Sequence, residues 1–202
     1  MQKKALITVG VLFCASLFAM AQENRSEISV QATGVFTKSV TSNGTTYGAT
    51  ESGGLLGNYR YHLNRWLSVE GGYGYTLDTQ KYTLSSGAFR LQSGIHQFTG
   101  SLVMNLPSYH HSRVAPYVLA GGGALLFEPT SSQFNSISNA PSQAKGAFTY
   151  GAGLNYAFYK GLSVRAEYRG LLYSAPDFGF GGLTTNSVTH TAMPSVGLSL
   201  RF

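Results

Sequence analysis

The chain has 202 residues, 11% of them charged, with 25 glycines, 13 tyrosines, 12 phenylalanines and a formal net charge of +6. A chain of this length is one domain. A helical membrane protein would show apolar runs of about 18 or more residues, and a soluble domain would carry about 25% charged residues; the chain fits neither. Mean hydropathy is −0.01. Near-zero hydropathy with few charges and many aromatics fits strands whose faces alternate between lipid and a polar lumen. The mild basicity gives no case for nucleic acid.

Residues 1–21 read as a cleaved secretory signal, with Lys3 and Lys4 as a basic start, an apolar core over 5–18, and Ala19-Met20-Ala21 as a small-x-small cleavage site. The core is too short for a spanning helix. Cys14, the only cysteine, lies in this segment and follows Phe13, where lipoprotein processing needs a small residue. Cleavage after Ala21 removes it, so the mature chain, 22–202, carries no thiol and no disulfide. That remainder is expected to be the barrel described next.

Eight segments follow with period-two alternation, the signature of strands whose two faces meet different solvents. The first, 27–36, puts Ile28, Val30, Ala32, Gly34 and Phe36 on its apolar face. A polar loop over 37–52 leads to the second, 53–63, with Leu55, Gly57, Tyr59, Tyr61 and Leu63 outward, and Leu56, Asn58, Arg60 and His62 inward. Asn64-Arg65-Trp66 is a tight turn. The third, 67–78, sends Leu67, Val69, Tyr73, Tyr75 and Leu77 outward, and Ser68, Glu70, Thr76 and Asp78 inward. A second long loop is expected over 79–94. The fourth, 95–106, sets Phe98, Leu102, Met104 and Leu106 against Gln97, Thr99, Ser101, Val103 and Asn105.

A short connection over 107–113 precedes the fifth segment, 114–128. Its outward face is assigned to Tyr117, Leu119, Gly121, Gly123, Leu125 and Phe127. The opposite face, with Val118, Ala120, Ala124 and Leu126, is hardly more polar. A third polar loop spans 129–143. The sixth segment, 144–158, exposes Phe148, Tyr150, Leu154, Tyr156 and Phe158, and 159–161 turns the chain. The seventh, 162–172, places Leu162, Val164, Ala166, Tyr168 and Leu172 outward, with Ser163, Arg165, Glu167 and Arg169 inward. A Gly-rich fourth loop, 173–187, leads to the eighth segment, 188–202. Long and short connections alternate. Short turns at one end with long loops at the other is the plan of an all-β, eight-stranded antiparallel up-and-down transmembrane β-barrel in the bacterial outer membrane.

The registers rest on apolar residues, so charges test them independently. Glu27, Arg60, Glu70, Asp78, Glu128, Lys145, Arg165, Glu167, Arg169 and Arg201 all fall in the inward register. A lipid-facing Arg or Lys at the bilayer midplane costs about 2–4 kcal/mol. A soluble lipocalin-like barrel would turn the apolar face inward, and this pattern rejects it. If Leu63 faces Leu67 across the turn, Arg60 lies opposite Glu70, a favourable cross-strand pair. Glu27 and Arg201 should meet at the turn-end rim where the first and last strands close the barrel. A lumen charge network of Arg60, Glu70, Arg165, Glu167, Arg169, Arg201 and Glu27 is therefore expected, slightly basic at mid-depth. An eight-stranded barrel is just wide enough to be filled by its own side chains, so these charges read as a plug. The alternatives are a narrow pore or a catalytic constellation.

Aromatics fall near both ends: Tyr59, Tyr61, Trp66, Tyr156, Phe158 and Phe202 by the short turns, and Phe36, Tyr73, Tyr75, Phe127, Phe148 and Tyr150 by the long loops. Two such girdles mark the headgroup levels of a membrane.

The signal, the eight segments and the terminal Val196-Gly197-Leu198-Ser199-Leu200-Arg201-Phe202 resemble small outer-membrane barrels of the OmpA/OmpX and opacity-porin type. The segments SGGLLGNYRYHLNRW, APYVLAGGGALLFEP and VRAEYRGLLYSAPDF are similar to barrel proteins of environmental bacteria such as acidobacteria. The resemblance implies that the alternating terminal residues Leu198, Leu200 and Phe202 are read by the barrel-assembly machinery, with periplasmic chaperones as escorts. OmpA relatives often add a peptidoglycan-binding domain. This sequence stops at its last strand, which leaves that role without support.

No metal spacing is present: His110 and His111 are adjacent in a short connection, and His62, His96 and His190 sit singly on different strands. The Gly-rich runs lack the Lys-Ser/Thr pair and helix of a phosphate loop. His190 and Ser195 have opposite parity, so they form no dyad. His190 reads as an outward interface residue. The sequence therefore points to a cofactor-free, non-enzymatic, monomeric outer-membrane barrel in contact with lipid. Its four surface loops serve an envelope or surface-contact role with an unidentified surface ligand. The alternative is a narrow non-specific pore for small solutes, and the next is a lipid-modifying enzyme.

Overall fold

In a computed structural model, the structure describes residues 25–42, 45–84, 87–107, 113–130, 141–178 and 187–202. The signal segment with Ala19 and Ala21, His110 and His111, and the glycines at 179–182 lie outside these residues. Among the described residues ten strands form: β1 (Ser26–Thr37), β2 (Val40–Ser42), β3 (Thr45–Ala49), β4 (Ser52–His62), β5 (Leu67–Leu84), β6 (Gly87–Asn105), β7 (Val114–Pro129), β8 (Gln143–Tyr159), β9 (Leu162–Ser174) and β10 (Val188–Arg201). β1 and β4 to β10 pair antiparallel in sequence, and β1 with β10 closes the ring. The result is an eight-stranded barrel with no free edge in its wall.

Alternation in the sequence becomes alternation in burial. Along β1, Glu27, Ser29, Gln31 and Thr33 are buried, whereas Val30 and Phe36 are exposed. β4, β9 and β10 follow the same rule, with Leu55, Val164, Val196, Leu198 and Leu200 exposed on the outer, lipid-facing surface. At the short-turn end, Asn64 fixes the β4–β5 hairpin: its Oδ1 accepts from the backbone N–H of Trp66 and of Leu67, each at 2.8 Å. Leu63 N then donates to Leu67 O at 3.0 Å. This turn sets the register of everything above it.

Three sequence expectations are corrected. The stretch 79–94 is no loop: β5 and β6 continue as one hairpin to Leu84 and Gly87, well past the end of β4. The stretch 37–52 contains β2 and β3, and β3 pairs with the upper part of β5. Together they extend the wall beyond the barrel at the loop end.

The third correction is the register of β7. Tyr117, Leu119, Leu125 and Phe127 are buried in the lumen, and Ala120, Gly122 and Ala124 face out. Phe127 accordingly leaves the outer girdle, and Glu128 becomes an outward residue at the loop-end border, half-exposed, with its carboxylate 3.6 Å from His96 Nε2. Both faces of β7 are apolar, so periodicity could not choose between them. Volume chose: Tyr117, Leu119, Leu125 and Phe127 fill the interior, and the outer face carries the smaller Val118, Ala120, Gly122 and Ala124 together with Leu126. The glycines on the inner face have a steric cause. A Cβ on Gly121 would lie 2.0 Å from the carbonyl oxygen of Gly100 on β6, and one on Gly197 equally close to that of Val30 on β1. At these points the coiled wall brings neighbouring backbones into the space a side chain would need.

The interior has two layers. Toward the loop end, Val35, Leu56, Leu91, Leu125, Phe127, Leu171, Tyr173 and Met193 form an apolar cluster, joined by Tyr47 of β3 and Phe178 beyond β9. Phe178 adopts φ 50°, packs edge-on against Phe127 and is almost wholly buried. Gln143 holds this segment: its Oε1 accepts from the N–H of Asp177 and Phe178, and its Nε2 donates to Asp177 Oδ1 at 2.6 Å. Toward the turn end the filling is ionic.

Candidate functional site

The ionic layer is built by register. The β4–β5 turn sets Arg60 opposite Glu70, and β9 carries Arg165, Glu167 and Arg169 on one inward face. Glu70 is the hub. Its Oε2 accepts from Arg60 Nε at 2.9 Å and lies 2.7 Å from Arg60 Nη2 and 3.4 Å from Arg165 Nη1. Its Oε1 accepts from Arg169 Nη2 at 2.8 Å. Arg169 also forks onto Glu167 Oε1 through Nε and Nη2, at 2.9 and 2.7 Å. Glu167 Oε2 accepts the Tyr117 hydroxyl at 2.6 Å, and the Tyr117 ring lies under the Arg60 guanidinium, 4.1 Å from its centroid. All six of these side chains are buried.

A second branch runs to Glu27. Its Oε1 pairs with Arg165 Nη2 and accepts from Asn155 Nδ2 at 3.3 Å. Its Oε2 is 3.0 Å from His62 Nε2, while His62 Nδ1 is 2.8 Å from Ser68 Oγ. Arg165 further donates to Asn155 Oδ1 and Ser29 Oγ, and Arg169 to Thr99 Oγ1 at 3.3 Å. A buried charge costs several kcal/mol unless paired and hydrogen-bonded. Here every guanidinium reaches a carboxylate and every carboxylate reaches a guanidinium.

Of the residues expected in the network, the structure joins Glu27, Arg60, Glu70, Arg165, Glu167 and Arg169. Arg201 is placed differently. It is the backbone partner of Glu27, yet both Glu27 oxygens are held by other residues, and Arg201 stands exposed at the mouth. It is also remote from the β9 arginines, because Arg165 faces Gly197, with Ser199 between that position and Arg201. Three guanidiniums against three carboxylates make the mid-depth interior balanced rather than slightly basic. Sequence reasoning missed Tyr117, through the inverted β7 register. It noted His62 as inward without giving it a partner.

The remaining expected residues lie on the wall. Leu198 and Leu200 face lipid, and Phe202 exchanges backbone hydrogen bonds with Ser26 at 2.8 and 3.0 Å. His190 faces outward, its Nε2 2.9 Å from the Tyr150 hydroxyl. Asp78 and Lys145 are inward, Lys145 Nζ lying 3.9 Å from Asp177. Among the described residues no group of three or more His, Cys, Asp or Glu side chains is placed to hold a metal.

A closed antiparallel barrel with an apolar outer belt and a polar, ion-paired interior defines an outer-membrane β-barrel protein. The chain belongs to the outer membrane protein beta-barrel domain family, which it matches over residues 6–202, and it resides in the bacterial outer membrane. Among solved structures it is similar to Neisserial surface protein A, with a TM-score of 0.61 and 16% identity over 88% of this chain and 97% of that one. OprG of Pseudomonas aeruginosa gives 0.60 and 14%, over 88% and 95%. The attachment invasion locus protein Ail of Yersinia pestis, solved with the heparin analogue sucrose octasulfate, gives 0.53 and 19%, over 88% and 98%. At these identities the likeness is one of fold. No curated protein sequence matches the chain.

Proposed function

We propose that this protein is a closed-lumen, non-catalytic outer-membrane barrel with an envelope-structural or surface-contact role. In this reading it anchors the β2–β3–β5–β6 extension at the cell surface. The supporting observation is the double filling of the interior, with an ion-pair layer near the turn end and an apolar layer, completed by Tyr47 and Phe178, near the loop end. A solute crossing the lumen would have to part a guanidinium–carboxylate cluster and then pass through a hydrophobic core. Bacterial barrels keep short turns periplasmic and longer loops extracellular, which places the extension outside the cell. Lipid, the barrel-assembly machinery and periplasmic chaperones are the partners this reading needs. The closed seam calls for no second copy.

Planar-bilayer recording tests it. The purified protein is expected to give no stable conductance, and reproducible single-channel steps would favour the narrow-pore alternative.

A further inference from the structure

The outer face of the barrel carries two histidines near the loop-end girdle, on β6 and β10, four strands apart around the ring and so on opposite sides. Each meets a tyrosine hydroxyl: His96 through Nδ1 to Tyr73 at 2.8 Å, and His190 through Nε2 to Tyr150 at 2.9 Å. The charges beside them differ. His96 has the half-exposed Glu128 carboxylate 3.6 Å from Nε2. His190 has Lys38, whose backbone N donates to His190 O at 2.8 Å and extends the pairing of Thr37 with Thr191 by one residue. Alternation from Phe36 and Ala192 puts Lys38 and His190 on the outer face, where cross-strand neighbours have Cβ atoms about 5 Å apart. Lys38 is exposed, and among the described residues no carboxylate forms an ion pair with it. Glu51 is exposed too, but it precedes Ser52, the partner of Val35, and so stands level with Phe36 on the far side of β1 from His190.

A glycine sets the tyrosine. Tyr150 on β8 pairs with Gly170 on β9, and a Cβ on Gly170 would lie 2.5 Å from Tyr150 Cζ and 2.9 Å from its hydroxyl oxygen. The ring therefore crosses the bare backbone of β9 to reach β10, where it stacks on His190 at 26° with centroids 6.0 Å apart. Phe148 stacks on Tyr150 in turn, at 25° and 6.3 Å. With the Tyr150 hydroxyl donating to Nε2, the imidazole carries its proton on Nδ1 and keeps one N–H donor. An ammonium and an imidazole N–H at headgroup level match an anion. Phe36, Tyr168 and Val196, exposed on the same side toward the turn end, match hydrocarbon attached to it. We propose that Lys38 and His190 bind the phosphate of a phosphorylated lipid in the outer leaflet, with Tyr150 holding the imidazole and the lipid chains lying along β9 and β10. The choice of leaflet rests on the loop end facing outside the cell, as in the reading above.

Native mass spectrometry of the purified full barrel in maltoside detergent tests this, with diphosphoryl lipid A as titrant and the same lipid stripped of phosphate as reference. Each variant is first checked for heat-modifiable folding. Wild type should bind saturably and prefer the phosphorylated lipid. Lys38→Gln and His190→Phe should each weaken that binding about tenfold, the effect of one charge-assisted hydrogen bond, whereas Lys38→Arg should retain it. Tyr150→Phe should lose affinity for the phosphorylated lipid and keep that for the stripped one. On the opposite side, His96→Gln and Glu128→Gln should bind as wild type. Inorganic phosphate in equal amount should not displace the lipid; full displacement would make a soluble anion the ligand and overturn the lipid assignment. No saturable binding, equal binding of the two lipids, or equal affinity in wild type, Lys38→Gln and His190→Phe would overturn the proposal. Lipid binding in detergent does not depend on conductance, so this proposal and the closed-lumen reading can fail separately.

Discussion

Glu70 shares its two oxygens among Arg60, Arg165 and Arg169, so its removal leaves three buried cations around a neutral amide. Breaking a buried pair by deleting one partner costs about 3–5 kcal/mol. Glu70→Gln should lower unfolding stability by that order, read as the urea midpoint in bilayers, and an unchanged midpoint would show that the cluster does not hold the barrel together. Tyr117→Phe is a milder version. It strips the 2.6 Å donor from Glu167 Oε2 and should cost about 1–3 kcal/mol, the penalty for an unsatisfied buried acceptor. The Arg60–Glu70 pair was legible from strand parity and a three-residue turn alone. Tyr117 was not, because its own strand is apolar on both faces and only the filled interior selects which one turns in.

At the scale of elements, β10 is the strand on which closure depends. It pairs with β9 on one side and with β1 on the other, and its inner face includes Gly197, where a side chain would meet the β1 backbone. Gly197→Val should therefore open or distort the seam and reduce the heat-modifiable folded fraction. The same substitution at Gly71, where a Cβ meets nothing within 4 Å, should leave that fraction intact. Phe202→Ser should lower the amount of assembled barrel in the outer membrane. Wild-type amounts would count against a role for the terminal aromatic in assembly. The β5–β6 hairpin teaches a different lesson. Its upper residues carry the Thr, Ser, Gln and Gly that mark a loop in sequence, yet backbone pairing to Leu84 and Gly87 continues, because β3 and each partner strand satisfy the hydrogen bonds that polar side chains leave undecided.

At the scale of the whole molecule the two interior layers make separate seals. Tyr47→Ala with Phe178→Ala should loosen the loop-end layer and lower thermal stability, since each removes a buried aromatic at about 3–5 kcal/mol. Bilayer conductance should stay absent, because the ion-pair layer remains. Steady conductance in that double variant would place the only barrier at the loop end. The layers also differ in origin. The ionic one is assembled from barrel strands alone, whereas the apolar one takes Tyr47 and Phe178 from segments outside the barrel wall.

By itself the sequence determined the eight strands of the barrel wall, the inward register of the charges on six of the seven segments that carry any, and the membrane as solvent. These follow from local alternation, and lipid penalises each outward charge individually. Tertiary structure alone decided the face of β7, the partners of Glu27, the apolar upper plug and the position of Arg201. Each of these depends on which side chains from distant strands compete for one narrow interior, and that competition has no period along the chain.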